Sequence, residues 1–588
     1  MPNTNPLLIH HELPTRAGTR QDWLGLAGDA GALAIAETAV RHDGPLLLIT
    51  TGTAEAEELR RALRFFGVED IELMPDWEVL PYDVFSPHQD ITSERLRALH
   101  RLPRKRHGVV IVPAATLMQR IAPPSFLEGT VIRLATGQRL DLEAMRSALQ
   151  GSGYRCVSEV LEHGEFAVRG AILDLYPMGA EAPFRIDLFD NEIDTIRSFD
   201  PETQRSIDRL ESVELLPAHE FPTDDEGIKR FRRQYRARFE GDPTASPVYQ
   251  SVSDGHIPNG IEAYLPLFFE STSTLFDYLP AGTLAIRVGA VDDQLAAEWS
   301  QIGERYEQRR HDRERPLLPP DTLYLDPDAV RHGLHAGAQI DLPADTNREP
   351  SRNRDRALSA RPLPDLRTAP GDDTGVASLQ SFIDGFAGQV LLTAETAGRR
   401  EALRERLQTA GIRVRDVSDW AAFVADPPAL ALTVAPLDHG FRLPDTGLAV
   451  VPESALLGER AEQRRRRKSS PDRDPDAIIR DLTDLSIGAP VVHEQHGIGR
   501  YQGLQTLAVD GIETEFLTLE YAAGDKLYVP VASLHLISRY TGADDEGAPM
   551  HRLGSGQWEK ARKRAARKAR DVAAELLDIY ARREAQQG

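Results

Sequence analysis

Short apolar runs alternate with helical periodicity between residues 23 and 130. Residues 46–49 and 109–112 are continuous apolar runs typical of buried strands, whereas residues 54–66 repeat apolar positions at three- and four-residue steps. Strands separated by helices predict a parallel sheet covered on both faces. We therefore expect an α/β domain over residues 23–130, after a tail of residues 1–22.

A two-residue apolar period marks the next segment, residues 131–216, as an insertion. Residues 185–190 and 193–197 alternate apolar and polar positions beside Asp190 and Asn191, which favour a turn. Alternate residues of a strand point to the same side, so Arg185, Asp187 and Phe189 should share one face. The α/β domain is expected to resume over residues 217–337, in helical and loop-rich form.

The following segments predict a linker, a second small domain and another linker. Residues 338–375 are rich in Pro, Asp, Arg and Ser and lack apolar periodicity. Apolar runs near residues 390, 431 and 449 and a helical pattern over 397–410 predict a small α/β domain at 376–458. Residues 459–485 contain the basic run 464–468, typical of a solvated linker, although such runs can also contact nucleic acid.

The last hundred residues predict a β-rich module followed by a helix. Asp510 and Gly511 separate two strand-like runs, and both residues tolerate the positive φ of a type I′ hairpin turn. We expect a small, strongly bent β-barrel over residues 486–555. Residues 556–588 place apolar side chains at helical steps and basic side chains on the other faces, which predicts a long basic helix.

Composition narrows the class of protein. The 588 residues include 69 Lys and Arg against 91 Asp and Glu, a net charge of −22 that opposes general attraction to nucleic acid. Cys156 is the only cysteine, which excludes an intrachain disulfide and a cysteine-based zinc cluster. No secretory signal pattern and no membrane-spanning apolar run are present, so we expect a cytoplasmic protein without membrane contact.

Two motifs suggest nucleotide or metal chemistry. The glycine-containing stretch 25–34 lacks the Lys and the Ser or Thr of a phosphate-binding loop, and a structural loop is the better interpretation. His493 and His496 have metal-like spacing, but no cysteine lies near them and Gly497 and Gly499 favour a tight turn. We expect no catalytic residue, bound cofactor or metal.

Two aromatic-containing motifs suggest binding surfaces. Trp77, Tyr82 and Phe85 could stack nucleic-acid bases, but interleaved prolines and aliphatic residues favour a packed loop. An exposed Phe189 beside Arg185 would be typical of an interface hot spot. The alternative is a surface charge pair over a core phenylalanine, and the spacing leaves both interpretations open.

Several ordered motifs together identify a family. They are LPYD at 80–83, FSPHQDI at 85–91, LMQR at 117–120, EHGE at 162–165, LPAHEFPTD at 216–224, RPLLPP at 315–320 and PVVHEQHGIGRY at 490–501. With them the chain resembles the N-terminal half of bacterial transcription-repair coupling factors. The resemblance implies a multidomain α/β and α+β protein: a degenerate P-loop-like α/β unit with an inserted module, a second small α/β domain, a small SH3/Tudor-like, CarD-like β-barrel and a long C-terminal helix.

The resemblance also implies partners for the first part of the chain. Residues up to about 324 resemble the damage-recognition protein UvrB, without the residues that bind nucleotide phosphates. The insert is similar to the module that binds the repair ATPase UvrA. The family residues of that interface correspond to Arg169, Arg185 and Phe189.

The terminal barrel resembles the domain that pairs a strand edge with the β subunit of RNA polymerase. Leu507 matches the key apolar contact, with Thr506 and Arg500 as further polymerase-binding residues. The last helix resembles a relay to a translocase that uses ATP and Mg²⁺ on double-stranded DNA and is not part of this sequence. The resemblance thus implies a monomeric adaptor of transcription-coupled excision repair. The alternatives are an active UvrB-like ATPase and a stand-alone CarD-like regulator of RNA polymerase.

Overall fold

The computed structural model describes residues 7–345, 348, 350–366, 376–457, 488–493, 497–509, 512–530 and 537–539. The chain divides into two compact units, residues 1–461 and residues 462–588. The basic run 464–468 and the helix expected over 556–588 lie outside the described residues.

A seven-stranded parallel sheet is the centre of the first unit, as the alternation of strands and helices predicts. Its strands, in spatial order, are Asp355–Ala357, Arg20–Leu24, Ala338–Leu342, Leu284–Val288, Leu46–Thr50, Val109–Pro113 and Ile71–Leu73. The principal helices of this domain are Ala30–Arg41, Thr53–Phe65, Gln89–Arg101, Val291–Arg309 and Pro327–His335. Strands from both sides of the insertion build this sheet, so residues 131–216 interrupt a single domain.

The linker expected over residues 338–375 is wrong, because strands Ala338–Leu342, Asp355–Ala357 and Arg361–Pro362 lie within it. Ala338–Leu342 is a fully buried strand of the sheet, and Asp355–Ala357 is its edge strand. Arg287 and Asp341 interrupt the apolar runs of two neighbouring strands, which obscures both in the sequence. Arg287 Nε and Nη2 donate to the two carboxylate oxygens of Asp341 at 2.6 Å, so the two charges are buried together.

The insert forms a six-stranded, mostly antiparallel sheet. Its strands, in spatial order, are Ser206–Leu210, Glu192–Phe199, Phe184–Phe189, Ile172–Tyr176, Glu165–Arg169 and Arg155–Cys156. The predicted hairpin is confirmed, with Asp190 at a φ of +54°. One sheet face buries Phe166, Leu173 and Ile186 in the same core as Leu99 of the α/β domain.

Ile132–Ala135 and Ser212–Leu215 pair antiparallel at the two ends of the insert. After it the chain is helical, as expected, with helices Asp225–Arg238 and Pro247–Ser253 and 3₁₀ turns at Ile261–Phe268 and Leu275–Tyr278. Leu265 and Phe268 are fully buried, so this segment is anchored in the core.

The second small α/β domain is confirmed and packs directly on the first. Its strands, in spatial order, are Arg361–Pro362, Phe441–Leu443, Leu448–Pro452, Gln389–Ala394, Leu430–Val434 and Arg415–Asp416. Its helices are Ala377–Gly385, Ala397–Thr409, Trp420–Ala425 and Ser454–Leu457. Trp420 meets Phe66 edge-to-face with ring centroids 5.0 Å apart, so the two domains share an apolar core.

The second unit contains a five-stranded antiparallel sheet. Its strands, in spatial order, are Lys526–Pro530, Ile512–Glu520, Gly497–Val509, Pro490–His493 and Ile537–Arg539. Val509 pairs with Ile512, which confirms the predicted hairpin, although Asp510 and Gly511 themselves lie outside the described residues. Closure of this sheet into a barrel stays a prediction. Nowhere in the described parts of the chain is a helix long and apolar enough to cross a membrane.

Candidate functional site

Arg169 and Arg185 meet on the insert through the carboxylate of Asp174. Asp174 is 1% exposed, and both oxygens accept hydrogen bonds from Arg185, at 2.7 and 2.9 Å. Arg169 Nη2 donates to the second oxygen at 2.6 Å. A buried carboxylate thus holds two guanidinium groups side by side on the sheet face away from the core.

Arg185 is the more enclosed of the two arginines. Its guanidinium also donates to the backbone oxygen of Gln204 at 3.2 Å and lies 4.8 Å from the ring centroid of Phe199. The hydrogen bonds to Asp174 raise the pKa of the Arg185 guanidinium. Its side chain is 18% exposed against 52% for Arg169, so Arg169 offers more of its surface to a partner.

Phe189 lies on the same face of the strand as Arg185 and is 76% exposed. Ile186 and Leu188, on the opposite face, are buried. Of the two interpretations left open, the core phenylalanine is therefore wrong, because alternation carries this ring into solvent. The charge pair exists, but its acid is Asp174 from the neighbouring strand, which strand periodicity alone does not indicate.

The glycine-containing loop after the first strand is packed by the chain's own backbone. Gly25 and Gly28 have φ values of +75° and +54°. A Cβ atom at Gly25 would lie 2.3 Å from the backbone oxygen of Leu358, and one at Gly28 would lie 2.5 Å from that of Gly440. These positions require glycine because of close backbone packing, in agreement with the structural-loop interpretation.

Asp29 follows this loop at the start of helix Ala30–Arg41. Its Oδ2 accepts the backbone N–H groups of Asp438 and His439, at 3.1 and 2.9 Å, and burial raises the pKa of Asp29 to about 6. The second α/β domain is thereby attached at the helix end where a phosphate would bind in a nucleotide-binding fold. A carboxylate at this place disfavours phosphate by charge repulsion.

The aromatic loop 77–88 is mostly packed, as expected. Trp77 and Tyr82 are 7% and 4% exposed, and the Tyr82 hydroxyl donates to the backbone oxygen of Leu318 at 3.0 Å. Phe85 differs, because it is 61% exposed. The three rings therefore do not form one platform.

His493 is buried in strand Pro490–His493, whereas His496 lies outside the described residues. In the part of the chain that the structure describes, no group of three or more His, Cys, Asp or Glu side chains could hold a metal ion.

The polymerase-binding residues expected in the second unit lie on one long strand, Gly497–Val509. Its pairing with Ile512–Glu520 shifts register between Tyr501 and Gly503, which has a φ of +112°. Pro490–His493 pairs with this long strand only at residues 497–500, so the described residues place a strand on one side alone of residues 503–509.

Leu507 and Thr506 lie on this one-sided ribbon, whereas Arg500 lies before the bulge. Arg500 Nη1 donates to the backbone oxygen of Gly488 at 2.8 Å. Seven residues of strand separate Arg500 from Leu507 by roughly 23 Å. The structure therefore brings Thr506 and Leu507 together and leaves Arg500 apart.

Three domain families match the chain, and two of them cover the residues expected to bind UvrA and RNA polymerase. The UvrB interaction domain matches residues 132–221, the MFD D3 domain residues 382–456, and the CarD-like/TRCF RID domain residues 485–541. A transcription-repair-coupling factor of Haemophilus influenzae is 44% identical over 580 residues, covering 98% of this chain and 50% of that protein. That of Escherichia coli is 45% identical over 584 residues, covering 99% and 50%, respectively.

The chain is homologous to the N-terminal half of transcription-repair-coupling factors. More distant similarity extends to that of Bacillus subtilis, 27% identical over 595 residues, covering 96% of this chain and 49% of that protein. The chain thus spans about half the length of the curated relatives it matches. The three matched domains and these relatives agree with the resemblance that the motifs indicate.

Proposed function

We propose that this chain is the adaptor part of transcription-coupled nucleotide excision repair. Its insert binds UvrA, and its terminal sheet binds the β subunit of RNA polymerase. The observation that carries the proposal is Phe189, which is 76% exposed on the domain matched by the UvrB interaction family. An exposed phenylalanine next to ordered arginines has the composition of an interface hot spot.

The UvrA surface combines an apolar anchor with an ordered cation. Asp174 fixes Arg169 through a 2.6 Å hydrogen bond and leaves 52% of the Arg169 side chain exposed. A pre-ordered guanidinium loses less conformational entropy on binding than a mobile one. We therefore assign the anchor role to Phe189, a direct polar contact to Arg169, and a mainly positioning role to Arg185.

The polymerase surface is the one-sided ribbon that carries Thr506 and Leu507. A strand with one unoccupied edge can accept a strand of another protein through main-chain hydrogen bonds. The match of residues 485–541 to the CarD-like/TRCF RID family supports this assignment. Arg500 lies at the other end of strand Gly497–Val509. It would therefore act away from the polymerase strand that pairs with the ribbon.

The central α/β domain acts as a scaffold rather than an ATPase. The packing of Gly25 and Gly28 and the carboxylate of Asp29 argue against a phosphate at the start of helix Ala30–Arg41. We assign ATP- and Mg²⁺-dependent movement along double-stranded DNA to the half of the relatives that this chain does not match. A stand-alone polymerase regulator is disfavoured because the terminal sheet alone would leave the Phe189 surface without a role.

Three titrations of the purified chain test the proposal. Calorimetry should give saturable binding to UvrA and to the polymerase β subunit, each at one-to-one stoichiometry. ATP with Mg²⁺ should give no saturable heat below about 1 mM. Failure to bind either protein removes the adaptor function, and tight ATP binding would restore the ATPase alternative.

A further inference from the structure

A cavity of about 320 Å³ opens between the aromatic loop and helix Val291–Arg309. Five carboxylates line it: Asp76, Glu78, Asp83, Glu262 and Glu298. Trp77, Tyr82, Phe85 and Tyr324 contribute aromatic rings. Among the described residues, none of the lining side chains is Lys, Arg or His. A cavity of this size accommodates one long side chain or a small organic molecule.

Four of these five carboxylates make no ion pair with an Arg, Lys or His side chain among the described residues. Among the described residues, Asp83 is the one cavity carboxylate that lies within 4.0 Å of arginine nitrogens. These nitrogens belong to Arg305 and Arg309. Glu262 instead accepts a hydrogen bond from the Ser86 hydroxyl at 2.7 Å, and Glu298 accepts one from the amide of Gln294 at 2.8 Å. The cavity therefore has a negative potential, which favours a cationic ligand.

Gln119 independently indicates that the ligand carries a hydrogen-bond donor. Its side chain lines the cavity and is 4% exposed, and Nε2 donates to Asp76 Oδ1 at 3.1 Å. That bond fixes the orientation of the amide, because the carboxylate can only accept. The other amide atom, Oε1, is buried without a hydrogen-bond partner within the described residues. A buried acceptor without a donor is unfavourable, and a ligand N–H group would satisfy it once the Gln119 side chain turned its oxygen toward the cavity.

The rim of the cavity is apolar. Leu80 and Phe85 are 48% and 61% exposed, and both line the opening. Glu78 and Tyr82 hold the loop with φ values of +56° and +59°, a conformation that residues other than glycine rarely adopt. Because such a strained loop persists only where its surroundings fix it, the rim is a formed surface rather than a loose segment. An apolar rim suits a ligand whose charged end enters while apolar neighbours stay outside.

We propose that this cavity binds an arginine side chain of a partner protein, with apolar residues beside that arginine contacting Leu80 and Phe85. The guanidinium pairs with Glu298 and donates hydrogen bonds to Gln119 Oε1 and to Glu262. Its planar, weakly hydrated group also stacks on aromatic faces. A metal ion fits less well, because no three of the acidic side chains converge on one point.

Short peptides test the proposal with the full chain by calorimetry. Acetyl-Leu-Arg-Leu-amide should bind saturably with a Kd of about 1 mM or below. The citrulline peptide, which keeps the shape and loses the charge, should bind at least about tenfold more weakly. Acetyl-Gly-Arg-Gly-amide should also bind more weakly, because it lacks the apolar neighbours. Putrescine represents a free amine and should bind more weakly than the leucine-flanked arginine peptide.

Variants locate the binding in the cavity. Glu298→Gln and Gln119→Leu should each weaken the arginine peptide at least about fivefold. Glu304 lies on the same helix as Glu298 and does not line the cavity. Glu304→Gln therefore removes the same charge and should leave the Kd of the arginine peptide unchanged. Because Gln119 is buried and its variant could misfold, partly exposed Glu298 is the decisive position.

Four results would overturn the proposal: no saturable binding of the arginine peptide, equal binding of the citrulline peptide, equal binding to Glu298→Gln, or putrescine binding as tightly as the leucine-flanked peptide.

Discussion

Arg185 donates two hydrogen bonds, of 2.7 and 2.9 Å, to the carboxylate of Asp174 on the neighbouring strand. Arg185 therefore has a different role from Arg169 on the proposed UvrA surface. Because Arg185 donates its hydrogen bonds within the insert, its replacement would disturb the structure of the sheet face as well as the contact with a partner. Arg169 and Phe189 project further and are the cleaner probes of binding.

Arg185→Ala should destabilise the insert. Removing one partner of a buried ion pair typically costs about 3 kcal/mol, and Arg169 can compensate only in part for the charge of Asp174. Amide hydrogen exchange should accelerate in strands Phe184–Phe189 and Ile172–Tyr176. Arg169→Ala removes a half-exposed partner and should cost less than about 1 kcal/mol. Equal exchange in both variants would contradict this division of roles.

Phe189→Ala should weaken UvrA binding without destabilising the chain. Truncation of an exposed aromatic anchor typically costs about 2 kcal/mol, or roughly thirtyfold in Kd. Ile207→Ala is the matched control, since Ile207 is 61% exposed on another strand of the same sheet. Calorimetric titration with UvrA measures both variants, and a similar loss in both would move the interface away from Phe189.

Leu507→Arg should abolish binding to the polymerase β subunit. A charge placed in a desolvated strand-edge contact costs at least about 2 kcal/mol. Tyr528→Arg introduces the same charge at a 40% exposed residue of strand Lys526–Pro530, outside this ribbon, and it should keep its affinity. Circular dichroism should give both variants the wild-type melting curve. A Leu507→Arg chain that binds normally would place the polymerase surface elsewhere.

Gly28→Ala should loosen the attachment of the second α/β domain. The added Cβ would meet the backbone oxygen of Gly440 at 2.5 Å, and alanine is strained at a φ of +54°. We expect a loss of about 1 to 3 kcal/mol, seen as a lower melting temperature. Gly52→Ala also precedes a helix, but its Cβ would meet nothing within 4 Å, so it should leave the melting temperature nearly unchanged.

Glu262 should make stability depend on pH. Burial raises the pKa of Glu262 to about 7 from an ordinary value of 4.5, while Ser86 and Arg95 lower it and Glu220 raises it further. Between these two values the folded chain keeps a proton that the unfolded chain has lost, so stability falls as pH rises through this window. Glu262→Gln should make the decrease in melting temperature from pH 5 to pH 8 shallower, and Glu304→Gln should not. An unchanged slope in Glu262→Gln would contradict the raised pKa.

The sequence predicts much of the α/β architecture because buried parallel strands are continuous apolar runs. Residues 46–49 and 390–393 both lie in such strands, at Leu46–Thr50 and Gln389–Ala394. The same criterion misses Leu284–Val288 and Ala338–Leu342, since Arg287 and Asp341 interrupt their apolar pattern. Only the pairing of these two side chains across neighbouring strands makes both strands suitable for the interior.

By itself the sequence determined the face that carries Arg185 and Phe189 and the hairpin before Ile512, because strand periodicity and turn chemistry are local properties. Tertiary structure decided that Asp174 joins the two arginines, that the Gly25 loop is filled by backbone, and that acidic residues distant in sequence surround one cavity. These features depend on contacts between segments far apart in the chain. Local patterns carry no information about which distant segments meet.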